Sequence, residues 1–160
     1  MNTIIIFQYL FCVLSLACCK LACREETERV MRFLVATYRD KQIAPETDSG
    51  DPVEVSLEMH VQDVSGFNES TGDFIIDIFY SQVWRDPDLN FSSISRCRGN
   101  VALEPAFLKT IWSPNVCLIN AKQSHVHKSP TDNMFVILYQ DGTLWINYRM
   151  QVCSLLVLMI

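Results

Sequence analysis

Glycine is scarce in this chain, five residues in 160, and that scarcity excludes a good deal. A loop that cradles phosphates needs glycines close together so that backbone N–H groups can approach the anion, and no such run exists. No Gly-x-Ser-x-Gly elbow presents a nucleophile, and no Cys-x-x-Cys pair follows the first twenty-five residues. Basic clusters are missing as well: 13 Lys and Arg face 18 Asp and Glu, for a net charge of −5, without the basic stripe that a phosphate-binding surface requires. Nucleic acid is therefore not expected as a partner, no cofactor is implied, and an enzyme is not expected. Helices and strands do not alternate and nothing repeats, so an α/β or solenoid architecture is excluded too.

What is present begins with an uncharged apolar run from Ile4 to Cys19, followed by small residues and then polar sequence. This reads as a secretory signal peptide over residues 1–19, cleaved between Ala17 and Ala22. The run of about 16 residues is short of the roughly 20 that a spanning helix needs, so no membrane span is expected in this chain. Export agrees with two N-glycosylation patterns, Asn68-Glu69-Ser70 and Asn90-Phe91-Ser92. In an oxidising compartment Cys97 and Cys117 could close a loop of about 20 residues, a bridge worth on the order of 3 kcal/mol; the alternative is two buried free thiols.

Downstream, Val30, Phe33, Leu34 and Tyr38 fall at helical spacing, with acids first and bases last as the helix dipole favours. Past Pro45 the period changes from 3.6 to 2. Val53, Val55, Leu57, Met59 and Val61 face one way and Glu54, Ser56, Glu58, His60 and Gln62 the other, which predicts a strand with one buried face. Phe74 to Trp84 and Asn100 to Glu104 predict further strands, and "MFVILY" and "TLWINYRMQV" flank Gln140-Asp141-Gly142, a hairpin signal. The fold class is mainly β: a leading helix followed by an antiparallel β-sandwich.

For chemistry, His125 and His127 project from one side of a strand and could share a metal with His60 or a carboxylate, but their segment is polar throughout and reads as an edge strand, so no metal is assigned. A recognition surface is the better reading. Phe79, Ser81 and Val83 share one strand face, and Trp145, Asn147, Arg149 and Gln151 share another, joining aromatic, amide and guanidinium groups. Arg149 could pair with a carboxylate, and the aromatics could hold an ammonium.

"GDFIIDIFYSQVWRDPDL", "IWSPNVCLINAKQSHVH" and "NMFVILYQDGTLWINYRMQV", in that order, resemble successive segments of the extracellular ligand-binding domain of the Cys-loop, or pentameric, neurotransmitter-gated ion channels. The resemblance covers roughly residues 25–152 and lies toward the GABA- and glycine-receptor-like branch. It implies five sibling subunits in a ring in the plasma membrane, with a small amino-acid or amine transmitter bound between neighbours. It also implies that Phe79 and Ser81 (strand D) and Asn147 and Arg149 (strand E) belong to the complementary face. Asn115, Val116 and Cys117 then belong to loop A, and Trp84 and Asp86 to the framework. Ser81 stands where many GABA-binding subunits carry Arg, and Cys117 where loop A carries an aromatic. Family members continue into a disulfide loop and four membrane helices, whereas this sequence ends in "CSLLVLMI". Residues 153–160 are read as an unrelated hydrophobic tail. The expectation is a secreted, truncated piece of a channel subunit without a pore; the alternative is a soluble ligand-binding or assembly-modulating protein.

Overall fold

Twelve residues near the start form an amphipathic helix, α1 (26–37), because Val30 and Leu34 place one apolar stripe against the rest of the chain. Both are fully buried, each worth about 1.5–3 kcal/mol over an exposed position. The computed structural model describes residues 26–45, 50–95 and 99–155. The expected signal peptide and Cys97 lie outside the described residues, as do residues 156–160.

Among the described residues six antiparallel strands follow: β1 (Val55–Asn68), β2 (Asp73–Arg85), β3 (Asn100–Leu103), β4 (Ala121–Val126), β5 (Met134–Tyr139) and β6 (Thr143–Leu155). They form one sheet in the order β1-β2-β6-β5-β3, with β4 also paired to β6. The protein is thus mainly β, a helix followed by an antiparallel sheet, as the periodicities predict. β6 is the organising strand. It pairs along its whole length with β2 on one side, and on the other with β5 through residues 144–148 and with β4 through residues 150–154.

Because side chains alternate across a strand, the β2–β6 register divides the sheet into two chemistries. Ile78, Tyr80 and Trp84 of β2 and Leu144, Ile146 and Val152 of β6 form the inner face and are all buried. The larger core joins Val30 and Leu34 to Trp84, Leu89, Phe91, Leu103, Val136, Leu138, Leu144 and Ile146; a smaller one joins Ile78, Tyr80 and Val152.

β1 departs from the expected half-buried strand. Leu57, Met59 and Val61 sit on the inner side, opposite Gln82, Tyr80 and Ile78, yet each is about half exposed at 51, 53 and 49 %. Alternation sets which way they point; β1 is the edge strand, and over this end of the inner face the loop carrying Cys117, Leu118 and Ala121 leaves an open cleft beside Met59 and Ile76. β1 also extends through Ser65-Gly66-Phe67-Asn68, past the alternating segment, by way of register irregularities after Val61 and Ser65. At the other end, β6 runs through Cys153 and Ser154, paired with Ile75 and Phe74.

One buried carboxylate joins the helix to the sheet. Asp86, fully buried after β2, accepts from the Tyr38 hydroxyl at 2.7 Å, from Arg39 Nη2 at 2.9 Å and from the Asp88 N–H at 3.1 Å. Its own N–H donates to the Gly142 carbonyl in the β5–β6 turn at 3.0 Å. Tyr38 in turn accepts from the Trp112 N–H at 3.0 Å. Burial is the chief reason its hydroxyl titrates well above the ordinary tyrosine range; the Trp112 bond opposes this and Asp86 adds to it. Gly142, at φ +88°, has no room for a Cβ, which would collide with the Asp86 carbonyl.

Removing one partner of a buried charge network leaves the others unpaired in low dielectric, so Asp86→Ala should cost about 3–5 kcal/mol. Asp88→Ala removes a 38 % exposed partner of Arg39 and should cost no more than about 1 kcal/mol. Urea-denaturation midpoints of the two variants would check this; equal midpoints would remove Asp86 as the tie between helix and sheet.

Candidate functional site

The outer face of the β2–β6 pair gathers the residues singled out from alternation. Phe79 lies opposite Arg149, Ser81 opposite Asn147 and Val83 opposite Trp145, so the two faces predicted separately are one contiguous surface. β1 extends it with Ser56, Glu58 and His60, opposite Val83, Ser81 and Phe79. β5 adds Phe135 and Ile137 beside Asn147 and Trp145.

Local chemistry fixes these side chains. Asn147 Nδ2 donates to Ser81 Oγ at 2.7 Å, and Ser81 is only 5 % exposed, so this pair is the floor of the surface. Trp145 meets Phe135 edge to face, ring centroids 5.1 Å apart at 88°, a geometry that opposite quadrupole regions favour. The Trp145 indole nitrogen is buried without a hydrogen-bond partner among the described residues. Phe79 is half-buried.

At the other end the surface is ionic. Asp77, two residues before Phe79 and on the same side, accepts from Arg149 through Nη2 at 3.2 Å and Nε at 3.4 Å. It also faces His127 Nε2 at 3.0 Å; a carboxylate can only accept, so that ring nitrogen carries the hydrogen. The His127 backbone N–H donates to the Arg149 carbonyl at 3.0 Å, prolonging the β4–β6 ladder by one residue. Burial pushes the Asp77 carboxyl up, but the hydrogen bond from Arg149 and the charges of His127 and Arg149 outweigh it and hold it below the usual range.

Other expected residues lie elsewhere. Asn115, Val116 and Cys117 are exposed on the loop before β4. Cys117 lines two clefts on the inner side of the sheet, one of about 340 Å³ with Val116, Tyr80 and Met150 and one of about 350 Å³ with Met59, Ile76 and Val152. The structure therefore does not bring them to Phe79 and Arg149. Cys117 carries a free thiol; Cys97, its expected bridge partner, lies outside the described residues. Asn68 ends β1, where its Oδ1 accepts from the Ser70 and Thr71 N–H groups. Asn90 Oδ1 accepts from the Ser92 N–H and hydroxyl. The rings of His125 and His127 are 5.9 Å apart, and no group of three His, Cys, Asp or Glu among the described residues is placed to hold a metal.

Asp77 and Phe135 were missed as site residues. Asp77 shares the parity of Phe79 and Ser81 in "DIFYS", a signal available in the sequence; its pairing with His127, fifty positions away, was not.

Comparison with known proteins decides the family. Residues 27–157 match the model of the neurotransmitter-gated ion-channel ligand binding domain. The chain belongs to that family, the Cys-loop ligand-gated channels. It is 48 % identical over 126 residues to the serotonin-gated chloride channel mod-1 of Caenorhabditis elegans, covering 79 % of this chain and 25 % of that protein. It is 44 % identical over 124 residues to ligand-gated ion channel 50 of the same organism, covering 78 % and 24 %. The glycine receptor subunit beta of Rattus norvegicus is 26 % identical over 126 residues, covering 79 % and 25 %. The chain thus spans about a quarter of the length of these relatives. The family consists of membrane-bound ion channels with extracellular ligand-binding domains, not enzymes; among the described residues no helix is long and apolar enough to cross a membrane.

A depressed carboxylate pKa adds stability that is present above the unfolded-state value, about 4, and is lost as pH falls through the folded value. Wild-type chain should therefore be more stable than Asp77→Asn at pH 7, and the gap should narrow as pH falls below about 4. Denaturant midpoints of both proteins across pH 3–7 read this; a gap that widens on acidification would contradict the Asp77 assignment.

Proposed function

We propose that this chain supplies the complementary ligand-binding face of an anion-conducting subunit in the GABA- and glycine-receptor-like branch. In this reading Phe79, Ser81, Trp145, Asn147 and Arg149 receive a small amino-acid or amine transmitter from a neighbouring sibling subunit. The carrying observation is the β2–β6 register, which sets Phe79 beside Arg149 and Ser81 beside Asn147 on one partly exposed surface. Asn115, Val116 and Cys117, on the other side of the sheet, would serve as loop A toward the opposite neighbour. Relatives named as chloride channels gated by serotonin and by acetylcholine support an anion channel, and the glycine receptor relative keeps an amino-acid transmitter within the same reading. The chain acts outside the cell, exported by residues 1–19.

A second reading is a secreted protein that binds ligand or modulates assembly. Leu57, Met59, Val61 and Val64 of edge strand β1 are each at least 44 % exposed, and an uncovered apolar edge seeks a partner.

Co-expression of the chain with a full-length channel subunit tests both. Co-purification with a changed agonist-evoked current is expected; a fall in current with the agonist profile unaltered favours the modulator. No co-purification and unchanged current would refute both.

Export through the secretory pathway predicts glycans on Asn68 and Asn90. Endoglycosidase treatment of secreted wild-type chain should remove two glycans, and of Asn68→Gln or Asn90→Gln one each. A wild-type chain that does not shift would contradict the assignment.

A further inference from the structure

The outer face carries several cations, and each already has a partner. Lys122 Nζ lies 2.7 Å from Asp73 Oδ2. Arg85, at the hairpin end, donates from Nε to the Asp141 carbonyl at 3.3 Å. Arg149, beside Phe79, donates from two nitrogens to Asp77. Asp77 is itself largely enclosed, its side chain 16 % exposed against 44 % for Arg149, so the carboxylate that satisfies Arg149 belongs to the framework. Glu58 and Asp63 of β1 stand opposite Ser81 and Asp77, and His60 opposite Phe79, so around Phe79 three carboxylates face one guanidinium and the imidazoles of His60 and His127.

A ligand carboxylate reaching Arg149 would have to displace Asp77, leaving a largely enclosed anion with His127 but without its guanidinium, beside Glu58 and Asp63, at an electrostatic cost. An ammonium meets the opposite situation: excess negative charge, and the π-faces of Phe79 and Trp145, which attract cations. We infer that Asp77, by holding Arg149, commits this face to a cationic amine that carries no carboxylate. This rests on the face being the one that receives transmitter, and Asp77 is a specificity-determining positioning residue that acts through Arg149. Phe79 and Trp145 offer the apolar and cation-binding surface, while the Asn147–Ser81 pair remains for a neutral polar group on the same ligand.

Matched probes that differ by a carboxylate test this directly. The full 160-residue chain, ¹⁵N-labelled, is titrated with choline against glycine betaine and with tryptamine against tryptophan, following the Trp145 indole N–H and the Asn147 side-chain amide. Wild type should bind the amine of each pair at least about tenfold more tightly, as an added charge-assisted hydrogen bond is lost rather than gained by the carboxylate member. Asp77→Asn should shift that ratio roughly tenfold toward the carboxylate member by freeing Arg149, and Asp77→Glu should restore the wild-type preference. Equal or tighter binding of betaine and tryptophan by wild type, or a ratio unmoved by Asp77→Asn, overturns the inference alone. If no probe moves either resonance, the reading of this face as the transmitter surface falls, and the inference with it.

Discussion

Everything on the outer face depends on which β2 residue lies opposite which β6 residue, and that register is held where Asp86 meets the β5–β6 turn. A slip of β2 by one residue would send Phe79 and Ser81 inward, away from Arg149 and Asn147, and expose Ile78 and Tyr80. The Asp86 N–H bonds the Gly142 carbonyl, fixing the end of β2 against the start of β6. Asp86's carboxylate meanwhile holds Tyr38 and Arg39, clamping α1 over the same corner. Gly142 suits this contact because its positive φ reverses the chain and its missing side chain leaves space for the Asp86 carbonyl. Hairpin, helix and candidate surface thus share one anchoring point, built from a buried charge whose lone pairs are taken by three donors.

Much of this could be read in the sequence because strand parity is a local property. The alternation of "DFIIDIFYSQVW" and "TLWINYRMQV" assigns each residue to a face without knowledge of the partner strand, and Asp-Gly marks the turn that sets the pairing. The helix was legible for the same reason, Val30 and Leu34 being one turn apart. What parity cannot supply is the neighbour. The pairing of Asp77 with His127 depends on β4 lying beside the far half of β6, a placement made by a loop with little regular structure. The sequence can therefore place His125 and His127 on one side of a polar edge strand but not name their neighbours, and in the fold His127 closes an ion cluster.

β1 shows the same limit from the other side. Its alternation correctly gives the direction in which Leu57, Met59 and Val61 point, but burial also requires a layer above them. The larger core has that layer, because α1, Phe91 and Phe107 cover the β5–β6 end. Near β1, among the described residues, the inner face has only the loop around Leu118 and Ala121 against Ile76 and Met150, and the apolar side chains stay half exposed. A strand pattern is evidence of amphipathicity; coverage is a property of the assembled layers.

The Asp77–Arg149 pair is better understood through its field than through its contribution to folding. With Arg149 nearly half exposed, solvent screens the attraction, and a pair of this kind adds of order 0–1 kcal/mol to stability. Its effect on a ligand is larger in kind: it cancels the positive potential that a lone guanidinium would project beside Phe79, and leaves Glu58 and Asp63 to set the local sign. Aromatic rings contribute a quadrupole that falls off steeply with distance, so their attraction for a cation counts only where no nearby unpaired positive charge opposes it. Neutralising Arg149 is what permits Phe79 and Trp145 to matter, and a weak ion pair thereby governs which chemistry the stronger aromatic surface can select.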